Sequence, residues 1–235
     1  MESVPKQSFL TRLRLELKRH GLLRTAYGLA VKALNKLLPF RILRGLHLKE
    51  VNPAYLECPD GFSCGFLSEA QLRRYAEDHR NELSDDFLDG ALAKGDRCYA
   101  FLKDGRLAAY SWYSLLPTRI DPADLLLEFE PPQVYLYKGL TLPEFRGLRL
   151  YDIGMNRALQ CYQRMGRKGL ICYVESHNLS SLKACSRLGY QLFGSIFLLQ
   201  LLGRYTIFNS PGCARFGFRL KEAPMSLEVL GVNEA

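Results

Sequence analysis

Apolar positions near the start of the chain recur at helical spacing. Leu10, Leu13 and Leu17 form one short stripe, and Leu23, Tyr27, Ala30, Leu34 and Leu37 or Leu38 form a second. This predicts two helices divided at Gly21, the second stopped by Pro39. From residue 60 the period changes. Residues 61–67 are a short apolar strand candidate, and Ser68 with Gln71 three positions later predicts a capped helix through Leu72, Tyr75 and Ala76. Ser84 is placed to cap a second helix that ends at Gly95. Residues 97–102 and 106–115 read as strands joined by Lys103-Asp104-Gly105, and Asp-Gly favours a hairpin turn. A proline-rich loop over 117–132 leads to a strand at 134–142. Residues 143–147 then open a helix of about 15 residues. The nearly all-apolar run 170–174 reads as a buried strand. Asn178 starts a helix that ends at Leu188-Gly189, and strands at 190–201 and 204–208 follow. The order β-α-α-β-β-β-α-β-α-β-β predicts a mixed α/β sheet without internal repeats.

Charge divides the chain in two. Residues 1–49 hold 11 Lys/Arg and 2 Asp/Glu, a net of +9 where the whole chain carries +8, so the remainder is near −1. A basic amphipathic segment suits an anionic membrane surface or an acidic partner such as an acyl carrier protein. It equally suits a helix packed on the body with its charges in water. Nucleic acid is disfavoured, since no recognised binding motif accompanies the charge. The expected layout is a basic helical extension over 1–57, a domain over 58–220 and a tail over 221–235. No apolar run approaches the roughly 20 residues of a membrane span, and basic residues break every apolar run before residue 30, so a cytoplasmic protein without an export leader is expected. Seven cysteines without a Cys-x-x-Cys pair, and four scattered histidines, predict free thiols and no metal site.

Two segments carry more specific information. Residues 140–151 read LTLPEFRGLRLY, and residues 178–190 read NLSSLKACSRLGY. The first resembles the strand and pyrophosphate loop of the GNAT acyl-CoA N-acyltransferase superfamily, Arg/Gln-x-x-Gly-x-Gly/Ala. The second resembles that family's Asn-x-x-Ala/Ser-x-x-x-Tyr-x-x-x-Gly-Phe/Tyr signature. The resemblance covers about residues 60–210. It implies a mostly antiparallel central sheet flanked by helices, and an acetyl-CoA or longer acyl-CoA co-substrate with no metal. The implied reaction is direct acyl transfer to a small-molecule or peptide acceptor, expected to be an amine. Amides at a helix start, aided by the helix dipole, suit a diphosphate. The resemblance assigns Arg146, Gly147, Leu148, Arg149, Leu150 and Tyr151 to the pyrophosphate, with Leu140, Thr141 and Leu142 along the pantetheine arm together with Asn178 and Ser181.

The sequence departs from the pattern at three places. Arg149 and Tyr151 stand where small residues are usual, and Cys185 stands at the tyrosine that often protonates the leaving thiolate. Glu175 and His177, just past the 170–174 strand, are candidate proton acceptors, and Cys185 is a candidate acid. Trp112, Tyr135 and Tyr137 are candidates to line an acceptor pocket, and the acidic residues of 117–132 could attract a cationic acceptor. The departures also motivate a second expectation: a degenerate scaffold that serves as a membrane-surface or protein-binding module.

Overall fold

The structure, a computed structural model, describes residues 26, 40–120, 125–201 and 204–223. The helical stripes expected over residues 10–38 lie outside the described residues apart from Ala26. Eight strands form one sheet: β1 (Phe40–Leu48), β2 (Phe62–Phe66), β3 (Arg97–Lys103), β4 (Arg106–Ser114), β7 (Gln133–Thr141), β8 (Gly169–Glu175), β9 (Gln191–Leu201) and β10 (Arg204–Asn209). Their order across the sheet is β10-β9-β1-β8-β7-β4-β3-β2. Every pairing is antiparallel except β7 with β8. A smaller sheet joins β5 (Thr118–Ile120), β6 (Leu125–Glu128) and β11 (Arg219–Glu222) in the order β11-β6-β5. This mixed, mostly antiparallel sheet flanked by helices is the architecture that the resemblance implies.

The helices are α1 (Glu69–Ala76), α2 (Asp85–Ala93), α3 (Leu150–Arg164), α4 (Leu179–Leu188) and the short α5 (Pro211–Ala214). Their ends follow local chemistry. Ser68 and Gln71 form a reciprocal capping box on α1, the Ser84 side chain accepts from the Phe87 amide, and Asn178 accepts from the Ser181 amide. Gly189 closes α4 at φ +100°, a conformation that a Cβ penalises.

Strand alternation sends side chains to two faces. On one face Tyr99, Tyr113, Val134 and Leu170 pack against Ile153, Leu159 and Tyr162 of α3. On the other, Trp112 and Tyr110 pack with Leu72 of α1 and Leu88 of α2, while Tyr135 and Ile171 pack with Leu125, Leu127 and Leu220 of the small sheet.

Four expectations change. Residues 40–48 are not part of a helical extension; they form β1, inserted between β9 and β8. Its arginines are accommodated because Arg44 donates to Ser195 Oγ at 2.9 Å and Arg41 lies 3.6 Å from Glu175. The segment 117–132 holds β5 and β6, whose buried Ile120, Leu125 and Leu127 make a second core. Residues 143–145 form a single 3₁₀ turn, and the helix begins at Leu150. The tail expected from residue 221 overlaps β11, because Lys221 and Glu222 pair with β6.

Candidate functional site

The site begins where β7 and β8 part. Their parallel pairing runs from Gln133↔Gly169 to Tyr135↔Ile171 and goes no further, although both strands continue. β8 stays paired with β1 and β7 with β4, so a fork opens between them. A register shift in the β4–β7 ladder falls between Trp112 and Tyr113, leaving Tyr137 as an extra residue on β7 at the base of the fork. Such a bulge re-aims side chains and interrupts the ladder.

Backbone alternation decides which β7 amides face the fork. The Leu142 amide donates to Ala108 O of β4 at 3.0 Å. Leu142 and Leu140 therefore direct their amides to β4, and Gly139 and Thr141 direct theirs to the open edge. The Thr141 carbonyl accepts from Arg146 Nε at 3.3 Å, consistent with that direction. Of the residues 140–142 expected along a pantetheine arm, only Thr141 presents its amide to the fork; alternation withdraws Leu140 and Leu142.

A cavity of about 400 Å³ fills the fork. Tyr137 and Leu136 line it from β7, Glu175 and Cys172 from β8, and Tyr151 and Met155 from α3. His177, Asn178, Ser181 and Cys185 complete it from α4 and the turn before it. The structure thus brings Glu175, His177, Asn178, Ser181, Cys185, Tyr151 and Tyr137 together. Trp112 and Tyr135 are corrected: they are 0% and 1% exposed in the core and do not line this cavity. Tyr135 stacks between Tyr137 and Tyr173, and Trp112 packs edge-on to Phe87.

His177 Nδ1 lies 3.2 Å from Glu175 Oε2, while Arg41 holds the other carboxylate oxygen at 3.6 Å. Cys185 is buried on the inner face of α4. A hydrogen bond with the Cys172 thiol holds the Cys185 thiol below its ordinary pKa against the opposing effect of burial. The same bond and burial push Cys172 up. Cys172, Met155, Leu136 and Tyr173 were not legible as site residues, because only the parting of the strands turns them toward one space.

The loop from Arg146 to Arg149 is exposed, with Gly147 at φ +87° and Arg149 at φ +58°. Arg149 is the N-cap of α3 and supplies no side-chain bond to its first turn. Arg146, Arg149 and Arg187 give this end of the fork positive charge. Asp152 opposes it: burial raises its carboxyl pKa, and Arg187, 3.6 Å away, works against that rise. An uncapped, positively charged helix start fits a diphosphate ester. The Tyr151 ring opposes the fit: it leans over Gly139, where an added methyl group would collide with it. Burial pushes the Tyr151 hydroxyl far above its ordinary pKa.

Two expectations about charge also change or find no structural counterpart. Glu128 of the acidic segment is held by Arg219 at 2.6 Å and Lys221 at 2.8 Å, so it presents no free charge, and residues 121–124 lie outside the described residues. Among the described residues no group of three His, Cys, Asp or Glu side chains is placed to hold a metal ion, and no helix is long and apolar enough to cross a membrane.

No family model matches the chain, and no curated protein does. Among solved structures it is similar to an acetyltransferase from the GNAT family of Colwellia psychrerythraea, at 15% identity and TM-score 0.48, over 68% of this chain and 56% of that one. It is also similar to a GCN5-related N-acetyltransferase-like protein from Streptococcus suis, at 16% identity and TM-score 0.45, over 71% of this chain and 65% of that one. A third is an aminoglycoside N-acetyltransferase in complex with CoA, at 17% identity and TM-score 0.43, over 55% of this chain and 91% of that one. The chain spans less than two thirds of the length of the first two. Fold and site together define a mixed α/β domain whose central sheet forks over a cavity lined by a Glu–His pair and a thiol pair.

Proposed function

We propose that the chain is an acyltransferase that moves an acetyl or longer acyl group from a coenzyme A thioester to an amine, directly within a ternary complex. The observation that supports this reading best is the fork: an edge of unpaired β7 amides beside a cavity holding a proton acceptor and a proton donor. The thioester supplies an activated acyl carbon and a thiolate leaving group. The open-edge amides of Gly139 and Thr141 add to the pantetheine arm as a neighbouring strand does. The amides of residues 147–151, with Arg146 and Arg149, hold the diphosphate. Amides at the base of the fork polarise the carbonyl. The Glu175–His177 pair takes the proton that the attacking amine releases, and the Cys185 thiol gives one to the departing thiolate. Each acyl transfer thus moves one proton into the cavity and one out.

Thermal unfolding with millimolar coenzyme A tests this reading. Ligand at 100 times Kd stabilises by about 2.7 kcal/mol, so the midpoint rises. An unchanged midpoint at millimolar coenzyme A counts against it. Mass spectrometry of co-purifying molecules, with an acyl-CoA hydrolysis screen, identifies acyl chain and acceptor.

The position of the Tyr151 ring favours a second reading, a scaffold that has lost its donor site and acts as a protein- or membrane-binding module. Removal of residues 1–39, which keeps β1, tests whether binding to an anionic vesicle or an acyl carrier protein depends on the basic segment. Binding that survives this removal excludes that role.

A further inference from the structure

The seven cysteines differ in what they face. Cys98 and Cys213 are closed in the core at 0% and 1% exposed, and Cys161 stands by itself on α3. Cys58 and Cys64 are neighbours at the β2 edge of the sheet; Cys58 donates to Phe62 O at 3.3 Å, and burial, then the bond with Cys64, pushes its thiol up to about 11. Cys172 of β8 and Cys185 of α4 are different. They are hydrogen-bonded to one another and both line the fork cavity, whose wall includes the exposed Asn178. The cavity therefore connects the thiol pair to solvent.

A buried cysteine with only apolar neighbours is inert packing. A thiol held against a second thiol in a space of about 400 Å³ is not, because a small neutral oxidant such as hydrogen peroxide can enter. Of the two, Cys185 is the readier nucleophile, since the Cys172 bond favours its thiolate while the same bond and burial disfavour that of Cys172. The Cys185 sulfur attacks one peroxide oxygen, the O–O bond breaks, and the products are a sulfenic acid and one water. The Cys172 sulfur then attacks the sulfenic sulfur, the S–O bond breaks, and a second water leaves with the remaining proton. In sum two thiols lose two hydrogens and two electrons, and one peroxide becomes two waters. A dithiol reverses the change by exchange, itself becoming a disulfide.

We propose that Cys172 and Cys185 are a site of reversible oxidation, at which a hydroperoxide joins β8 to α4 by a disulfide inside the fork and thereby suppresses acyl transfer. The suppression rests on the acyltransferase reading: the disulfide consumes the Cys185 proton that the departing thiolate needs. The disulfide itself stands on the thiol pair and its cavity.

The full chain is treated with hydrogen peroxide, its remaining thiols are alkylated, and its tryptic peptides are read by mass spectrometry. Cleavage after Lys168, Lys183 and Arg187 separates the two cysteines, so the disulfide joins peptide 169–183 to peptide 184–187. That linked pair is expected, and dithiothreitol is expected to part it. Cys172→Ala removes the thiol that resolves the sulfenic acid, so under peroxide with dimedone the variant is expected to label at Cys185 about tenfold or more above the native chain. Acetyl-CoA turnover by the native chain, followed by chromatography of the released coenzyme A, is expected to fall about 100-fold or more on oxidation and to return on reduction. The proposal is overturned if the two peptides stay unlinked, if the native chain labels with dimedone as strongly as Cys172→Ala, or if the linked chain turns over acetyl-CoA at the reduced rate. Peptide mapping uses the native chain, so it keeps the test decisive if Cys172→Ala does not fold. A chain that links in this way but gains no thermal stability from coenzyme A when reduced would retain the oxidation site and remove the acyl donor.

Discussion

Replacement of Tyr151 by alanine separates stability from donor affinity, because the ring contributes to one and obstructs the other. The side chain projects from the first turn of α3, leans over Gly139 and lines the fork cavity. Truncating a fully buried aromatic residue to alanine costs about 3–5 kcal/mol. Tyr151 is only partly buried, so a loss of about 2–3 kcal/mol is expected. In a domain of this size that lowers the unfolding midpoint by about 4–12 °C. Donor affinity should move the other way. If the ring has to leave its packed position before the pantetheine arm enters, lost packing and an unfavourable rotamer of about 1 kcal/mol weaken binding in the native chain, and removing the ring returns about fivefold in Kd. Differential scanning calorimetry measures the first effect and titration calorimetry with coenzyme A the second. A variant that is less stable yet binds coenzyme A no more tightly would show that the donor does not pass Tyr151, and would refute the path drawn along β7.

Three further outcomes follow from the same geometry. Gly147 has φ +87°, so Gly147→Ala costs about 1 kcal/mol of strain, whereas Gly147→Glu adds a negative charge beside the diphosphate seat; coenzyme A titration should show a loss of about tenfold or more for Glu beyond that for Ala, and equal losses would move the seat elsewhere. Cys185→Ala should lower the rate of acyl transfer about 100-fold or more, while Cys185→Ser retains part of it, as steady-state kinetics would show; an unchanged rate removes Cys185 from proton transfer. His47 is pushed below its ordinary pKa by burial, against the opposing effect of a hydrogen bond with Gln133. The unfolded chain therefore binds the proton more readily, so stability falls as pH drops below about 6.5 toward the depressed folded value. Unfolding midpoints between pH 7.5 and 5 should show that acid limb, and His47→Gln should flatten it.

Local signals made much of the fold readable. The Ser68–Gln71 box, the Ser84 and Asn178 caps, the Asp104-Gly105 turn and the Gly189 stop all operate within a few residues, so sequence spacing carries them. β1 was hidden because Arg41 and Arg44 extend the basic run before it, and their partners Glu175 and Ser195 lie more than 130 residues away. Gly45 adds no strand signal either; it is glycine because the Phe193 ring covers its α-carbon. The site was readable in part for the same reason. Glu175, His177, Asn178, Ser181 and Cys185 follow one another through a single strand, turn and helix, and so arrive at the fork together. The bulge at Tyr137 and the end of pairing at Tyr135 are properties of the assembled sheet. Asp96 carries no signal between the helix end at Gly95 and the strand from Arg97, because the partner that fixes it, Tyr137, lies 41 positions later.

The central claim is that the open edge of β7 and the start of α3 hold an acyl-CoA. Residue-resolved backbone amide exchange, with and without acetyl-CoA, addresses it directly. The account predicts that Gly139, Thr141 and residues 147–151 exchange freely alone and slow sharply with the donor, while Leu140 and Leu142, already bonded to β4, do not change. Unaltered exchange at Gly139, Thr141 and the loop with saturating acetyl-CoA would contradict it.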